Sequence, residues 1–237
     1  QTTGGKDVSS PVTTYNRGRP FAWSYSKIKN YRACPKKYYH VDVAKDFKED
    51  ESEILTWGNL VHKAFAERLS KKKPLPIGME KYEPMLAGVE HSEGKLYVEQ
   101  KYGLKEDLTG TGFFGADVWY RGIADVVKIH DDRAIAIDWK LGKIVEDSMQ
   151  LALVAACLFG HFPSVRKVEA IFMWLKDDAS TKQIFTREGM PNVWSAVLPD
   201  VSILKKAHDT MEFPAKPGGL CAKWCPVTAC KFHGVGG

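Results

Sequence analysis

Gly122-Ile123-Ala124-Asp125-Val126-Val127-Lys128-Ile129-His130-Asp131-Asp132-Arg133-Ala134-Ile135-Ala136-Ile137-Asp138-Trp139-Lys140 is the stretch on which the fold turns. Its flanks are apolar and rich in β-branched residues, and its middle is a polar turn, so it predicts a β-hairpin. With the turn centred on Asp131-Asp132, Ile129 pairs with Ala134 and Asp125 falls opposite Asp138. Cross-strand partners hold their Cβ atoms about 5 Å apart. Side chains alternate with period two, which puts Lys140 on the face of Asp138. Two carboxylates that close repel, and a divalent cation with oxygen ligands offsets the repulsion; Mg²⁺ takes one or two carboxylates and keeps several waters. A lysine beside such an ion steadies an attacking water, a set suited to phosphodiester hydrolysis. The plainer alternative is an edge hairpin with solvated charges.

Outward from the hairpin, strands alternate with helices. Lys95 to Tyr102 alternates as a strand, and Leu108 to Gly115 is Gly/Thr-rich and turn-like. Ile54, Leu55, Trp57, Val61, Ala64, Phe65 and Leu69 recur at helical spacing, predicting a helix over 53–70 that Lys71-Lys72-Lys73-Pro74 stops. A weaker helix is expected over 79–89. Ser24 or Ser26 caps a short helix running to Cys34, where Pro35 interferes. Glu146 to Phe159 predicts a helix with a strongly apolar face. Strands follow at 167–175 and 182–185, and a helix at 192–211 that contains Pro199. The mixture implies an α/β fold, a central mixed β-sheet flanked by helices. Residues 1–20 are expected to be a flexible arm, 21–212 the main domain, and 213–237 a Cys-rich tail packing on the N-terminal helix.

The bulk properties narrow the class. No apolar run reaches about 18 residues, so no membrane span is expected. The start has no apolar stretch of the signal-peptide kind. Five cysteines, an odd count, fit a reducing cytoplasm better than a disulfide framework. The net charge of +5 is unevenly spread. From Val8 to Val41 there is no acidic residue, and lysines and arginines interleave with Phe21, Trp23, Tyr25, Tyr31, Tyr38 and Tyr39. Such a segment suits phosphates and unpaired bases, or else is a solvated helix whose aromatics belong to the core.

Other candidates are weaker taken singly. His62 on the helix over 53–70 is by itself more often a core histidine than a ligand. Glu99 is a strand carboxylate just before the hairpin, and Gln150 opens the apolar helix, able to orient a phosphate or to cap the helix. Cys157 fits plain core packing. Cys221, Cys225 and Cys230 cluster in the tail; with Cys34 they would suit a 4Fe-4S cluster, with His233 a zinc site, and free thiols are the third reading.

In order along the chain, these residues resemble the RecB-like branch of the PD-(D/E)XK nuclease superfamily. The resemblance runs from Trp23 to His233. It is carried by the Ser24…Cys34-Pro35…Tyr38 helix, Gly58-Asn59-Leu60-Val61-His62, Gly122-Ile123-Ala124-Asp125, Asp138-Trp139-Lys140 and Gln150. It implies a restriction-endonuclease-like core and an Mg²⁺- or Mn²⁺-dependent deoxyribonuclease, more in the manner of an exonuclease on ends or single strands. Asp125, Asp138 and His62, with the Trp139 carbonyl, would hold the ion. Lys140 would assist the water, Gln150 position the substrate, and Glu99 act as an auxiliary acid. Similar proteins occur in CRISPR adaptation machinery and in phage genomes, so DNA is the expected partner, in the cytoplasm or a phage host's cytoplasm. No helicase P-loop occurs in the sequence, so a helicase or recombination protein would be another polypeptide. The alternative is a catalytically weak nucleic-acid-binding module. Two positions depart from the branch: Val154 stands where a tyrosine usually follows the glutamine, and the tail spacing is Cys221-x3-Cys225-x4-Cys230 rather than CxxC-x5-C.

Overall fold

The computed structural model describes residues 20–49, 52–145 and 147–235. The expected N-terminal arm lies outside the described residues except for Pro20, as does Glu146, the expected start of the apolar helix. Ser24 caps α1 (Tyr25–Ala33), its Oγ accepting from the Lys27 N–H. Cys34 is extended, and Pro35 then opens α2 (Pro35–Tyr38), which widens into a π-helical turn over Tyr39–Ala44. Helices α3 (Glu53–Lys71) and α4 (Glu83–His91) follow. Next come β1 (Lys95–Leu104), a two-residue strand β2 (Gly110–Thr111) inside the expected turn, and the hairpin strands β3 (Tyr120–His130) and β4 (Arg133–Lys140). Helix α5 (Ser148–His161), β5 (Lys167–Trp174), β6 (Ala179–Thr186) and α6 (Met190–Thr210) complete the domain.

The six strands form one sheet in the order β2-β1-β3-β4-β5-β6. It is mixed: β4 and β5 are parallel and every other neighbour antiparallel. Parallel neighbours need a crossover, and α5 supplies it. Residues Leu151 to Phe159 are buried without a break. A helix apolar on all sides must be covered on all sides, and α5 is, by the sheet on one side and by α1 and α6 on the other. Helix α6 runs through Pro199, whose ring sits on the exposed side. The opposite sheet face carries a second, smaller core, where Val61, Phe65 and Leu69 of α3 and Leu86 of α4 meet Val126, Ile137 and Trp139.

β4 alternates between the two cores without a fault: Ala134 and Ala136 face α5, while Ile135, Ile137 and Trp139 face α3. β1 and β3 do not. On β1, Tyr97 faces α5 and Val98 faces α3, yet beyond Glu99 it is Tyr102 and Leu104 that face α5. On β3, Tyr120 and Ala124 face α5, but so do Val127 and Ile129, with Val126 turned to α3. Both strands therefore reverse their alternation at one row, Glu99 and Asp125. The β1–β3 ladder skips that pair, and Glu99 has a left-handed φ of 51°.

The basic, aromatic N-terminal segment belongs mostly to the core. Trp23 is 0% and Tyr38 1% exposed, and Phe21, Tyr25 and Tyr31 pack against the same cluster. Its cations are partly engaged too: Arg32 with Asp200, Lys29 with Asp147, and Lys37 with Glu49. Docking of α1 and α2 against the α5–α6 layer turns these rings towards the core. Among the described residues no helix is long and apolar enough to cross a membrane.

Candidate metal centre

The hairpin register is as the turn predicts: Ile129 pairs with Ala134, and the ladder runs up to Val126 and Ile137. One step further it would join Asp125 to Asp138, and there it stops. Asp125 Oδ2 instead accepts the Trp139 backbone N–H at 2.8 Å. The side chain thus takes a bond that a strand carbonyl would otherwise make, which holds a buried carboxylate at the seam of the sheet.

Three groups converge on that seam. His62 Nδ1 lies 3.2 Å from Asp125 Oδ2. His62, Glu99 and Asp125 each offer a ligand atom, and these atoms lie within 4.8 Å of one another. The Glu99 conformation is what makes the third possible. A left-handed backbone costs a non-glycine residue roughly 1–2 kcal/mol, and the reversal it produces sets Glu99 beside His62. The hydrogen bond to Asp125 raises the His62 pKa, against burial. Glu99 is raised by desolvation and then by the Asp125 charge. Two carboxylates gathered around one imidazole suit a divalent cation.

Asp138 stands outside that tight group, on the α5 face with Lys140. Gln150 Nε2, from the first turn of α5, donates to Asp138 Oδ1 at 2.9 Å. Lys140 Nζ lies 2.7 Å from Asp138 Oδ2 and donates to Gln150 Oε1 at 3.2 Å. The ammonium is the neighbour of this otherwise unpartnered buried oxygen. Burial raises the Asp138 pKa, Lys140 opposes, and Asp125 adds to the rise. A buried carboxylate within electrostatic reach of His62, Asp125 and Glu99 fits a cation ligand. The shared face of Asp138 and Lys140 follows the alternation; the separation of Asp138 from the His62 group comes from the reversal in β3, which β4 does not share.

The remaining candidates divide. The Trp139 ring packs edge-on to Phe65 at 5.4 Å in the smaller core, leaving its backbone at the site. Val154 is buried in α5. A tyrosine does reach the head of that helix, from α1: Tyr25 OH donates to Asp147 Oδ1 at 2.6 Å, and burial followed by this carboxylate raises its pKa. Nothing in the local sequence of α5 announces it. Beside the metal group an open groove runs between α3 and β1, edged by Asn59, Lys63, Ser70 and Lys71. Gly58, one turn before His62, has no atom within 4 Å of where a Cβ would stand.

At the far end of α1 the tail passes Cys34. The Lys216 N–H points to Cys34 Sγ at 3.4 Å, Lys216 Nζ donates to the Arg32 carbonyl at 2.8 Å, and the Lys36 N–H donates to the Pro214 carbonyl. Cys34, Cys221, Cys225, Cys230 and His233 line one small pocket. None of the five cysteines is in a disulfide, and Cys157 is fully buried in the core.

The family model of the PD-(D/E)XK nuclease superfamily matches residues 22–230. Similar solved structures include a protein of Eubacterium rectale that carries the provisional name exonuclease, at 12% identity and TM-score 0.48, with 90% of each chain covered. Another is SSO0001, at 13% identity and TM-score 0.41, covering 90% of this chain and 86% of that one. No curated protein matches the sequence.

Proposed function

Because the chain belongs to the PD-(D/E)XK nuclease superfamily, we propose that it is an Mg²⁺- or Mn²⁺-dependent deoxyribonuclease of the RecB-like kind, working as an exonuclease on DNA ends or single strands. The observation that carries the reading is the meeting of His62, Glu99 and Asp125 beside the buried Asp138 that Lys140 and Gln150 hold. These four side chains, with the Trp139 carbonyl, are the proposed ligands. A bound divalent cation supplies positive charge for the phosphate and acidifies a water.

The chain's own residues do the rest. Lys140 is held between Asp138 Oδ2 and Gln150 Oε1, with its ammonium 4.7 Å from the Phe172 ring centroid. It thereby presents a fixed N–H to the nucleophilic water and to the oxygen that gains charge. Gln150 ties α5 to β4, so the lysine and the carboxylate keep one geometry. Asp125 does the same between β3 and β4 through the Trp139 N–H.

End-labelled linear and closed circular DNA, single- and double-stranded, incubated with Mg²⁺, Mn²⁺ or EDTA, test the reading. Linear DNA should shorten from its ends with either metal, and EDTA should stop it. Nicking of closed circles would make the enzyme an endonuclease; inertness on every substrate would remove the nuclease reading. A helicase or recombination protein on another chain is the proposed supplier of the strand.

For the tail, four thiolates lining one pocket support a 4Fe-4S cluster held by Cys34, Cys221, Cys225 and Cys230. Among the described residues, no three tail ligand atoms lie within 4.8 Å of one another. Iron and sulfide analysis of anaerobically purified protein decides; zinc, or no metal, would count against the cluster.

A further inference from the structure

The reversal at Glu99 and Asp125 leaves part of the sheet uncovered. Beyond that row, Tyr102, Leu104, Tyr120 and Ala124 face α5, so Lys101, Arg121 and Ile123 face the other way. No described helix covers Lys101 or Ile123 there: Lys101 is exposed and Ile123 is 46% exposed, in the middle of the sheet. Lys101 pairs with Ile123, two residues past Glu99 on one strand and two before Asp125 on the other. At about 3.3 Å per residue, the patch begins roughly 7 Å from the carboxylates.

The loop after β2 brings aromatic rings to the same patch. Phe113 sits between the two cations, its ring centroid 5.9 Å from Lys101 Nζ and 5.8 Å from the Arg121 guanidinium. Arg121 Nε also donates to the Phe113 carbonyl at 2.7 Å. Phe114 stands edge-on to Phe113 at 5.0 Å and is 82% exposed. The loop is tied down: the Gly115 N–H donates to the Gly112 carbonyl at 2.8 Å, and the Thr111 hydroxyl to Asp117 at 2.7 Å. Asp117 also pairs with Lys105, so the acid nearest the loop is engaged. A phenyl ring held out into water on a braced turn, with two cations beside it, has the composition of a base-stacking platform.

We propose that Phe114, with Lys101 and Arg121, docks an unpaired nucleic-acid strand: a base stacks on the Phe114 ring and phosphates lie against the two cations. The inference rests on the nuclease reading and assigns it an unpaired strand as substrate. The strand then runs along the open face of β1 and β3 to the carboxylate row. Phe114 positions; it touches no reacting atom.

The test uses the full chain in a cleavage-deficient Lys140→Ala background with Mg²⁺, and two fluorescent probes of equal length. One is a single-stranded oligodeoxynucleotide; the other is the same backbone made wholly of abasic units. Phe114→Ala should weaken the base-bearing probe about five- to 150-fold, the range of one lost stack. It should leave the abasic probe unchanged, and Phe114→Trp should restore binding. Lys101→Ala should weaken both probes and lower the salt slope by about one. If Phe114→Ala changes neither probe, or both alike, the platform is overturned while cleavage by the unaltered protein still upholds the nuclease. If the unaltered protein cleaves no DNA with either metal, the nuclease reading fails and takes the platform with it.

Discussion

β4 and its neighbours β1 and β3 hold the two halves of the proposed site in different ways. β4 is regular from Arg133 to Lys140, and its half consists of Asp138, Lys140 and Gln150, joined by hydrogen bonds and an ion pair on the α5 face. β1 and β3 break at one row, and their half consists of Glu99, Asp125 and His62 on the α3 side. Regular pleat can place a lysine two residues from an aspartate, but it cannot gather three ligands around a point. The break does that, at the expense of one ladder pair and one strained residue.

The largest effects should come from splitting the halves. Asp138→Ala and Lys140→Ala should each lower cleavage by about a thousandfold or more, with DNA retention kept in a filter assay. Asp125→Ala should do the same and also destabilise the fold by roughly 1–3 kcal/mol, since it leaves the Trp139 N–H buried without its acceptor. Urea titrations of the three variants separate the halves. Equal stability loss in all three would mean that the break carries no special role.

Glu99 offers a finer cut. Glu99→Gly removes a ligand and the left-handed strain together. Cleavage should fall by about ten- to a hundredfold, while stability rises by up to about 1 kcal/mol. Glu99→Ala should lose the activity without the gain, because its Cβ keeps the strain.

A third measurement uses a group outside both halves. His208 is packed among Tyr38, Phe21 and Phe213, with its Nε2 2.8 Å from the Tyr38 hydroxyl. Burial pushes its pKa down from 6.5 to about 4, and Lys27 adds to the fall. The folded state therefore favours the neutral ring. This contribution is complete above pH 6.5 and is lost as pH drops towards 4, because the unfolded chain binds the proton first. Thermal melts from pH 7 to 4 should fall across that window, and His208→Phe should flatten the curve without changing cleavage at neutral pH.

The smallest effect is expected at Gly58. Glycine inside a helix costs up to about 1 kcal/mol against alanine, and no contact in the chain requires it here. Gly58→Ala should raise Tm by about 2–4 °C.

The regular half was legible in the sequence because it follows from period two: Ile129 against Ala134, and Lys140 on the face of Asp138. The broken half was legible only in its membership. His62, Glu99 and Asp125 stand out as residue types, but their meeting depends on a left-handed φ that glutamate does not advertise. The adjacent buried pair Val126-Val127 was the one local hint that alternation had shifted. The N-terminal aromatics were ambiguous because rings among lysines look alike whether they stack on bases or on a core; the docking of α1 on α6 is what packs them against the core. Phe113-Phe114 was passed over because glycines and threonines around it describe a turn and say nothing of what the turn displays.

The tail that crosses back over Cys34 ties residues more than 180 positions apart. The first helix emerges from the ribosome long before α6 or the tail exists to cover it. Contacts so distant in sequence close late and slow assembly. The two rings flanking that helix are therefore covered at different stages: Trp23 can pack as soon as Trp119 and Tyr120 are present, whereas Tyr38 waits for His208 and Phe213.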